Sequence, residues 1–331
     1  MAALIIEIIR RHLSYWLLLG ILGFSVVTVT ACSHHPSENI SSLPKQPTAE
    51  CRIVKHTMGE TCVPINPQRV ITLSSCTLGN VLALGIQPIA TTNEVYQEKN
   101  SLTSVKGKTE GIKLVGLSQP NLEATLLLKP DLIVGVDWFK PIYPLLSKIA
   151  PTVLGKIDYP NWEDHFSFVA EALGKQEVEK ALWKRYYQRI QQLKLALGTR
   201  YQDKKVSFIY VGNERISIDA KNSFIGSILS DALLQRPASQ NMDSPYGSFP
   251  ISLEELEKAD GDILFVTTYS SGGNQFLEEK QRDPLWKTLK AVQENHVYYV
   301  DFMSWAATNM LGTDVVIDDL FKYLVNIPES K

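Results

Sequence analysis

One phrase is written twice in this chain, and the repeat constrains the fold more than any other feature. Asn121-Leu122-Glu123 is followed, eight positions after the glutamate, by Asp131-Leu132-Ile133-Val134; Ser252-Leu253-Glu254 is followed at the same interval by Asp262-Ile263-Leu264-Phe265. Each copy predicts a helix that starts on a polar cap, carries a glutamate in its first turn and runs into an apolar strand. A supersecondary unit repeated this far along the chain predicts two similar lobes. Two facing lobes enclose a cleft, and a glutamate at the same place on each offers a pair of contacts to one partner.

The N-terminal end predicts export. Arg10 and Arg11 supply a positive flank, Leu13 to Val29 is almost unbroken apolar sequence, and Val29-Thr30-Ala31-Cys32 closes it with small residues before a cysteine. This pattern resembles a lipobox, with a signal peptide over 1–31 and a diacylglycerol on Cys32. The alternative is an uncleaved anchor, since the stretch approaches the ~20 residues that a bilayer requires. Arg10-Arg11 followed by His12-Leu13 matches twin-arginine export only in part. Residues 32–50 have no periodicity and read as a flexible tether, in which His34 and His35 are incidental. The expected location is the periplasmic side of the plasma membrane, or the cell surface where no outer membrane exists.

The remaining stretch of roughly 280 residues suffices for two lobes of ordinary size. Hydrophobic residues make up 44% of the chain and charged ones 21%, which suits a globule, and the net charge of −2 lacks the basic patch that nucleic acid needs. Of the four cysteines, Cys32 is taken by lipidation, Cys51 and Cys62 flank a short loop suited to a disulfide outside the cytoplasm, and Cys76 reads as a free buried thiol.

Arg69 to Leu73, Pro88 to Thr92, Asp131 to Val136 and Pro151 to Leu154 read as buried strands, with helices at Leu78 to Leu84 and Leu122 to Leu128. That alternation predicts a parallel sheet covered on both faces, within a first lobe spanning 51–175. The second lobe, 200–331, repeats the grammar. Its strands are Lys205 to Val211, Arg215 to Ala220, Asp262 to Thr268 and Val297 to Asp301, and its helices are Phe224 to Leu233, Leu253 to Lys258 and Asp314 to Leu324. Between the lobes, over 176–199, Val178, Leu182, Tyr186, Ile190, Leu193 and Leu197 form one apolar stripe on a helix that ends at Gly198. A helix on the order of 33 Å long bridges two lobes rigidly; the alternative is a surface helix of one lobe. The fold class is therefore α/β, two Rossmann-like lobes joined by a rigid helix.

No HExxH, GxSxG, GxxxxGK(S/T) or post-strand GxGxxG occurs. Glu123 and Glu254 fit helix capping, and Ser252 with Glu255 forms a capping-box pattern. Capping does not require that both carboxylates stand at one offset from a strand, one per lobe.

Pro67-Gln-Arg-Val-Ile-Thr-Leu73, Ala83-Leu-Gly-Ile-Gln-Pro88, the run from Pro120 to Ile133 and Ile251-Ser-Leu-Glu-Glu-Leu256 resemble the substrate-binding lipoproteins of iron-complex ABC importers. These are the helical-backbone binding proteins for ferric siderophores, ferric citrate and cobalamin, and the resemblance covers about residues 50 to 327. It implies two α/β lobes with little hinge closure, no enzymatic activity, and one glutamate per lobe offered to the permease, a role that falls on Glu123 and Glu254. Glu255 is an alternative to its neighbour.

A ferric chelate that is anionic or rich in carbonyl oxygens calls for Arg or Tyr donors and aromatic walls. Loops after strands supply Trp138, Asn213, Arg215, Tyr269 and Trp305, with Tyr96 added. For each Trp the alternative is a packing residue, and for Arg215 an exposed strand-edge charge. No His and carboxylate set has metal-ligand spacing, so the chelator is expected to hold the iron, with no cofactor in the protein. His56, His165 and His296 read as isolated. The expected protein is monomeric and lipid-anchored, captures a ferric siderophore or ferric citrate, and passes it to an ABC permease. Alternatives are a cobalamin-binding protein, an exported hydrolase using Cys76, and a structural lipoprotein.

Overall fold

A computed structural model of the chain describes residues 50–93, 109–157, 161–212, 215–269 and 271–326. The signal peptide, the lipidated Cys32, the tether up to residue 49, Tyr96 and Asn213 lie outside the described residues.

The chain enters through an antiparallel hairpin, β1 (Cys51–His56) and β2 (Gly59–Pro64), paired from Cys51 opposite Pro64 to His56 opposite Gly59. Cys51 and Cys62 are disulfide-bonded across it. The first sheet consists of β3 (Val70–Leu73), β4 (Ala90–Asn93), β5 (Lys113–Leu117), β6 (Leu132–Val136) and β7 (Thr152–Gly155), in the order β5-β4-β3-β6-β7. All four pairings are parallel. Every residue of β3, β6 and β7 is buried, which is why they read as continuous apolar runs: helices cover both faces. Those helices include α1 (Ser75–Ala83), α2 (Leu122–Leu127) and α3 (Trp162–Leu173).

The 22-residue helix α4 (Gln176–Leu197) follows, and Gly198, with φ of 55°, ends it. Tyr186, Ile190, Leu193 and Leu197 are buried, whereas Val178 is exposed, so the predicted stripe packs only over the C-terminal part of the helix.

The second sheet is β8 (Val206–Gly212), β9 (Arg215–Asp219), β10 (Ser248–Ile251), β11 (Ile263–Thr268) and β12 (Val297–Tyr299), in the order β10-β9-β8-β11-β12. It departs from the first. β8 pairs with β9, and β9 with β10, antiparallel, while β11 is parallel to β8 and β12. Only two residues separate Gly212 from Arg215, enough for a hairpin but far short of the dozen or so that a parallel crossover needs. Helices α5 (Phe224–Asp231), α6 (Ser271–Lys280) and α7 (Met310–Leu320) belong to this lobe. Leu253–Ala259 is a 3-10 helix rather than an α-helix, drawn tight by bonds such as Asp260 N–H to the Glu257 carbonyl. The predicted terminal helix begins earlier, at Met310, and closes with a π-helical turn over Phe321–Val325.

Three seams hold the lobes together. α4 packs on α3 and on α7, with Tyr186 Oη donating to Asp231 Oδ2 at 2.7 Å and Arg189 bonded to Asp314 and Asp318. The α7 N-terminus meets α1, where Met310 N–H donates to Asn80 Oδ1 at 3.0 Å. Gly79 permits this approach, because a Cβ there would lie 2.3 Å from Asn309 Cγ. Trp162 of α3 sits edge-on to Phe224 at 5.1 Å, and its Nε1 donates to Ser227 Oγ at 3.1 Å. One apolar core runs through Val134 and Phe166, Leu193 of α4, and Ile225 and Phe265 of the second sheet's lobe. Lobes that share a core cannot swing freely.

Candidate functional site

A cavity of about 410 Å³ opens where the lobes face each other. The first lobe contributes Ser75 and Cys76 from the start of α1, Trp138 after β6, and Ile157 after β7. The second contributes Tyr210 and Ser217 from β8 and β9, Ser223 and Phe224 at the start of α5, and Tyr246 to Ser248 leading into β10. Tyr269, Phe302, Ala306 and Thr308 follow β11 and β12. Loops beyond the carboxyl ends of parallel strands build most of this wall, as expected of open α/β sheets.

Its chemistry is aromatic and hydroxylic. Tyr269 packs on Phe302 with ring centroids 5.6 Å apart, and Phe302 meets Tyr210 edge-on at 6.5 Å. Gly212 makes this possible, since a Cβ there would fall 1.7 Å from the Tyr269 hydroxyl. Trp138 is 49% exposed and Tyr246 77% exposed, so two mobile-faced rings stand at the mouth. Behind the wall, Asp219 and Arg236 form a buried ion pair at 3.0 Å. Burial pushes the Asp219 carboxyl up, while Arg236, Ser223 and Tyr210 hold it down.

Cys76 is buried at the cavity's edge, and its Sγ lies 3.2 Å from Ser74 Oγ. Ser74 Oγ bonds Thr77 Oγ1 at 3.0 Å, and Thr77 Oγ1 bonds His165 Nε2 at 3.0 Å. The imidazole therefore engages a threonine rather than the thiol, unlike a nucleophile and its base. Burial drives the His165 pKa down to about 4 even with the Asp137 charge nearby, so the ring is neutral in the fold. Among the described residues, no three His, Cys, Asp or Glu side chains group closely enough to hold a metal ion.

Trp138 and Tyr269, expected from the sequence, both line the cavity. Two others do not. Trp305 is fully buried, sandwiched between Phe208 at 5.1 Å and Phe265 at 4.6 Å, with Nε1 donating to Asp319 Oδ2 at 2.8 Å. Its indole belongs to the core, because Asp301 caps the short Phe302–Trp305 helix and turns Phe302 to the cavity in its place. Arg215 starts β9, is exposed, and lies outside the cavity wall. Sequence reasoning missed Tyr210, Ser217, Ser223 and Phe224. The signal for the last two was present: Ser223 is a polar cap after an apolar strand, and its Oγ accepts from Gly226 N–H at 2.8 Å.

The repeated phrase has one structural job in both copies. Asp131 accepts from the N–H groups of Gln68 and Arg69 at 2.7 and 2.9 Å, just before β3; Asp262 accepts from Lys205 N–H at 2.6 Å, just before β8. The helix caps are also assigned. Asn121 Oδ1 accepts from Ala124 N–H at 2.9 Å, and Glu255 Oε2 accepts from Ser252 N–H at 3.1 Å. Glu123 and Glu254 remain exposed on the surface. The Glu254 carboxyl is held below its usual range by its own backbone N–H and the Ser252 hydroxyl.

Comparison with known proteins accords with this geometry. The chain is 30% identical over 329 residues to the probable siderophore-binding lipoprotein YfiY of Bacillus subtilis, spanning 96% of this chain and 99% of the relative. It is 30% identical to the Fe(3+)-citrate-binding protein YfmC of the same organism, spanning 93% and 96%. The crystal structure of Staphylococcus aureus SirA complexed with staphyloferrin B superposes with a TM-score of 0.73 at 27% identity, over 84% of this chain and all of that one, 100%. A model of the periplasmic binding protein family matches residues 70–303, and the chain belongs to that family, among siderophore- and ferric-citrate-binding lipoproteins of ABC importers.

Proposed function

We propose that this chain is an exported, lipid-anchored binding protein that captures a ferric siderophore-type complex between its lobes and delivers it to an ABC permease. The observation that carries this reading is the cavity of about 410 Å³, walled by aromatic and hydroxyl side chains from both lobes, in a chain whose relatives are named for siderophore and ferric citrate binding. Such a wall suits a bulky chelate: rings cover its carbon skeleton and hydroxyls meet its polar rim. The chelator supplies the iron ligands, the protein makes and breaks no bond, and it acts as a monomer without a cofactor. Trp138 and Tyr269 contact the complex, and Cys32 carries the lipid.

Delivery runs through Glu123 and Glu254, one on each lobe. Neither is needed as the main cap, since Asn121 and Glu255 do that work. Leu126 and Leu127 lie exposed on the same short helix as Glu123, so apolar contact surrounds the charge. Alanine at both glutamates is expected to leave affinity for the ferric complex unchanged in a tryptophan-fluorescence titration while abolishing uptake by cells. Weak binding combined with intact uptake would overturn the docking role.

A further inference from the structure

Tyr210 and Ser223 both face the cavity, and both direct their hydroxyl protons at one buried carboxylate. Tyr210 Oη donates to Asp219 Oδ1 at 2.8 Å, and Ser223 Oγ donates to Asp219 Oδ2 at 2.6 Å. Asp219 is fully buried. Arg236 braces it from a side chain that is itself only 4% exposed, donating to Asp219 Oδ2 at 3.0 Å and to the carbonyls of Ala220 and Asp219 at 2.6 and 3.0 Å. The guanidinium is thus committed to the interior and contributes nothing to the cavity wall.

A hydroxyl whose proton points at a carboxylate can offer a ligand only its oxygen lone pairs. This stretch of wall therefore accepts hydrogen bonds, and the charge immediately behind it is negative. Anionic chelates want the reverse, namely donors and cations. Among the described residues lining the cavity there is no Lys, Arg or His.

We infer that the cleft selects ferric complexes with no net negative charge, of the hydroxamate class, and that Asp219 is the positioning residue that sets this polarity. Three monoanionic hydroxamates balance Fe³⁺ and leave a neutral complex, whose amide N–H or pendant ammonium groups can donate to the wall. Three catecholates leave a charge of −3, and citrate complexes are anionic too. The inference rests on the ferric-chelate reading above and narrows its ligand.

Affinities measured by tryptophan quenching for neutral ferrichrome, cationic ferrioxamine B, ferric citrate and a ferric tris-catecholate test it, each at low and high NaCl. At least tenfold tighter binding of the neutral or cationic complex, with little salt dependence, is expected. Tightest binding of an anion, weakening steeply with salt, overturns the inference and leaves the ferric-chelate reading standing; binding of none of the four overturns both. For Asp219→Asn, which frees the two hydroxyl protons and leaves Arg236 unbalanced, the neutral-to-anionic affinity ratio is expected to fall at least tenfold. A purely structural role would weaken both ligands alike, and that result removes Asp219 from the account. The native-protein panel decides the ligand class even if Asp219→Asn does not fold.

Discussion

A proton at His165 should weaken the fold beneath the cleft, and the size of the effect follows from its burial. The imidazole is buried with Nε2 3.0 Å from Thr77 Oγ1, and its pKa is driven from 6.5 to about 4. In the unfolded chain it titrates near its ordinary 6.5. Above that pH both states hold a neutral ring, and no stability is lost. Between 6.5 and about 4 the unfolded chain takes up a proton that the native protein refuses, so stability falls as pH falls; below about 4 the loss levels off. At 1.36 kcal/mol per unit the full gap is worth about 3 kcal/mol, of which about 2.5 kcal/mol is gone by pH 4.5. The assay is urea denaturation at pH 7.5 and 4.5 of the native chain and of His165→Gln, which keeps a polar partner for Thr77 but does not titrate. Protonation of carboxylates is common to both proteins and cancels. The native chain is expected to lose about 2.5 kcal/mol more than the variant. Equal losses would refute the argument, because they would mean that His165 takes up its proton in the fold.

Two further outcomes separate seam from site. Gly79→Ala is expected to cost ~1–3 kcal/mol by overpacking against Asn309, lowering Tm by a few degrees in calorimetry; an unchanged Tm would show that α1 and α7 are not tightly apposed. Trp138→Ala is expected to weaken binding of the ferric complex while shifting stability by less than about 0.5 kcal/mol, as for an exposed side chain, whereas Trp305→Ala is expected to cost ~3–5 kcal/mol. Thermal melts and ligand titrations read both, and the opposite pattern would reverse their assignments.

Much of the architecture was legible because periodicity is a local property. The buried strands β3, β6 and β11 announce themselves as apolar runs, and α4 as a stripe ending at Gly198. The β1–β2 hairpin escaped notice, since half-exposed strands such as Cys51–His56 carry a weak pattern, although its cysteine pair was readable. The antiparallel turn of β9 and β10 also went unread: a strand's direction depends on its neighbour, and only the two-residue link after Gly212 hinted at it. At the site, Trp138 and Tyr269 could be picked out as rings on loops after strands, yet the same rule selected Trp305, which the core absorbs. The donors expected for an anionic chelate were sought at Arg215, which is on the outer surface.

By itself, then, the sequence determined that there are two α/β lobes, that a long helix joins them, and that a matched glutamate stands on each, because these follow from spacing along the chain. Tertiary structure decided which side chains reach the cleft and what they present there. Tyr210, Asp219, Ser223 and Arg236 come from a strand, its hairpin partner and the segments that flank α5. Only their convergence turns two hydroxyls inward to a buried carboxylate and leaves oxygen lone pairs facing the ligand.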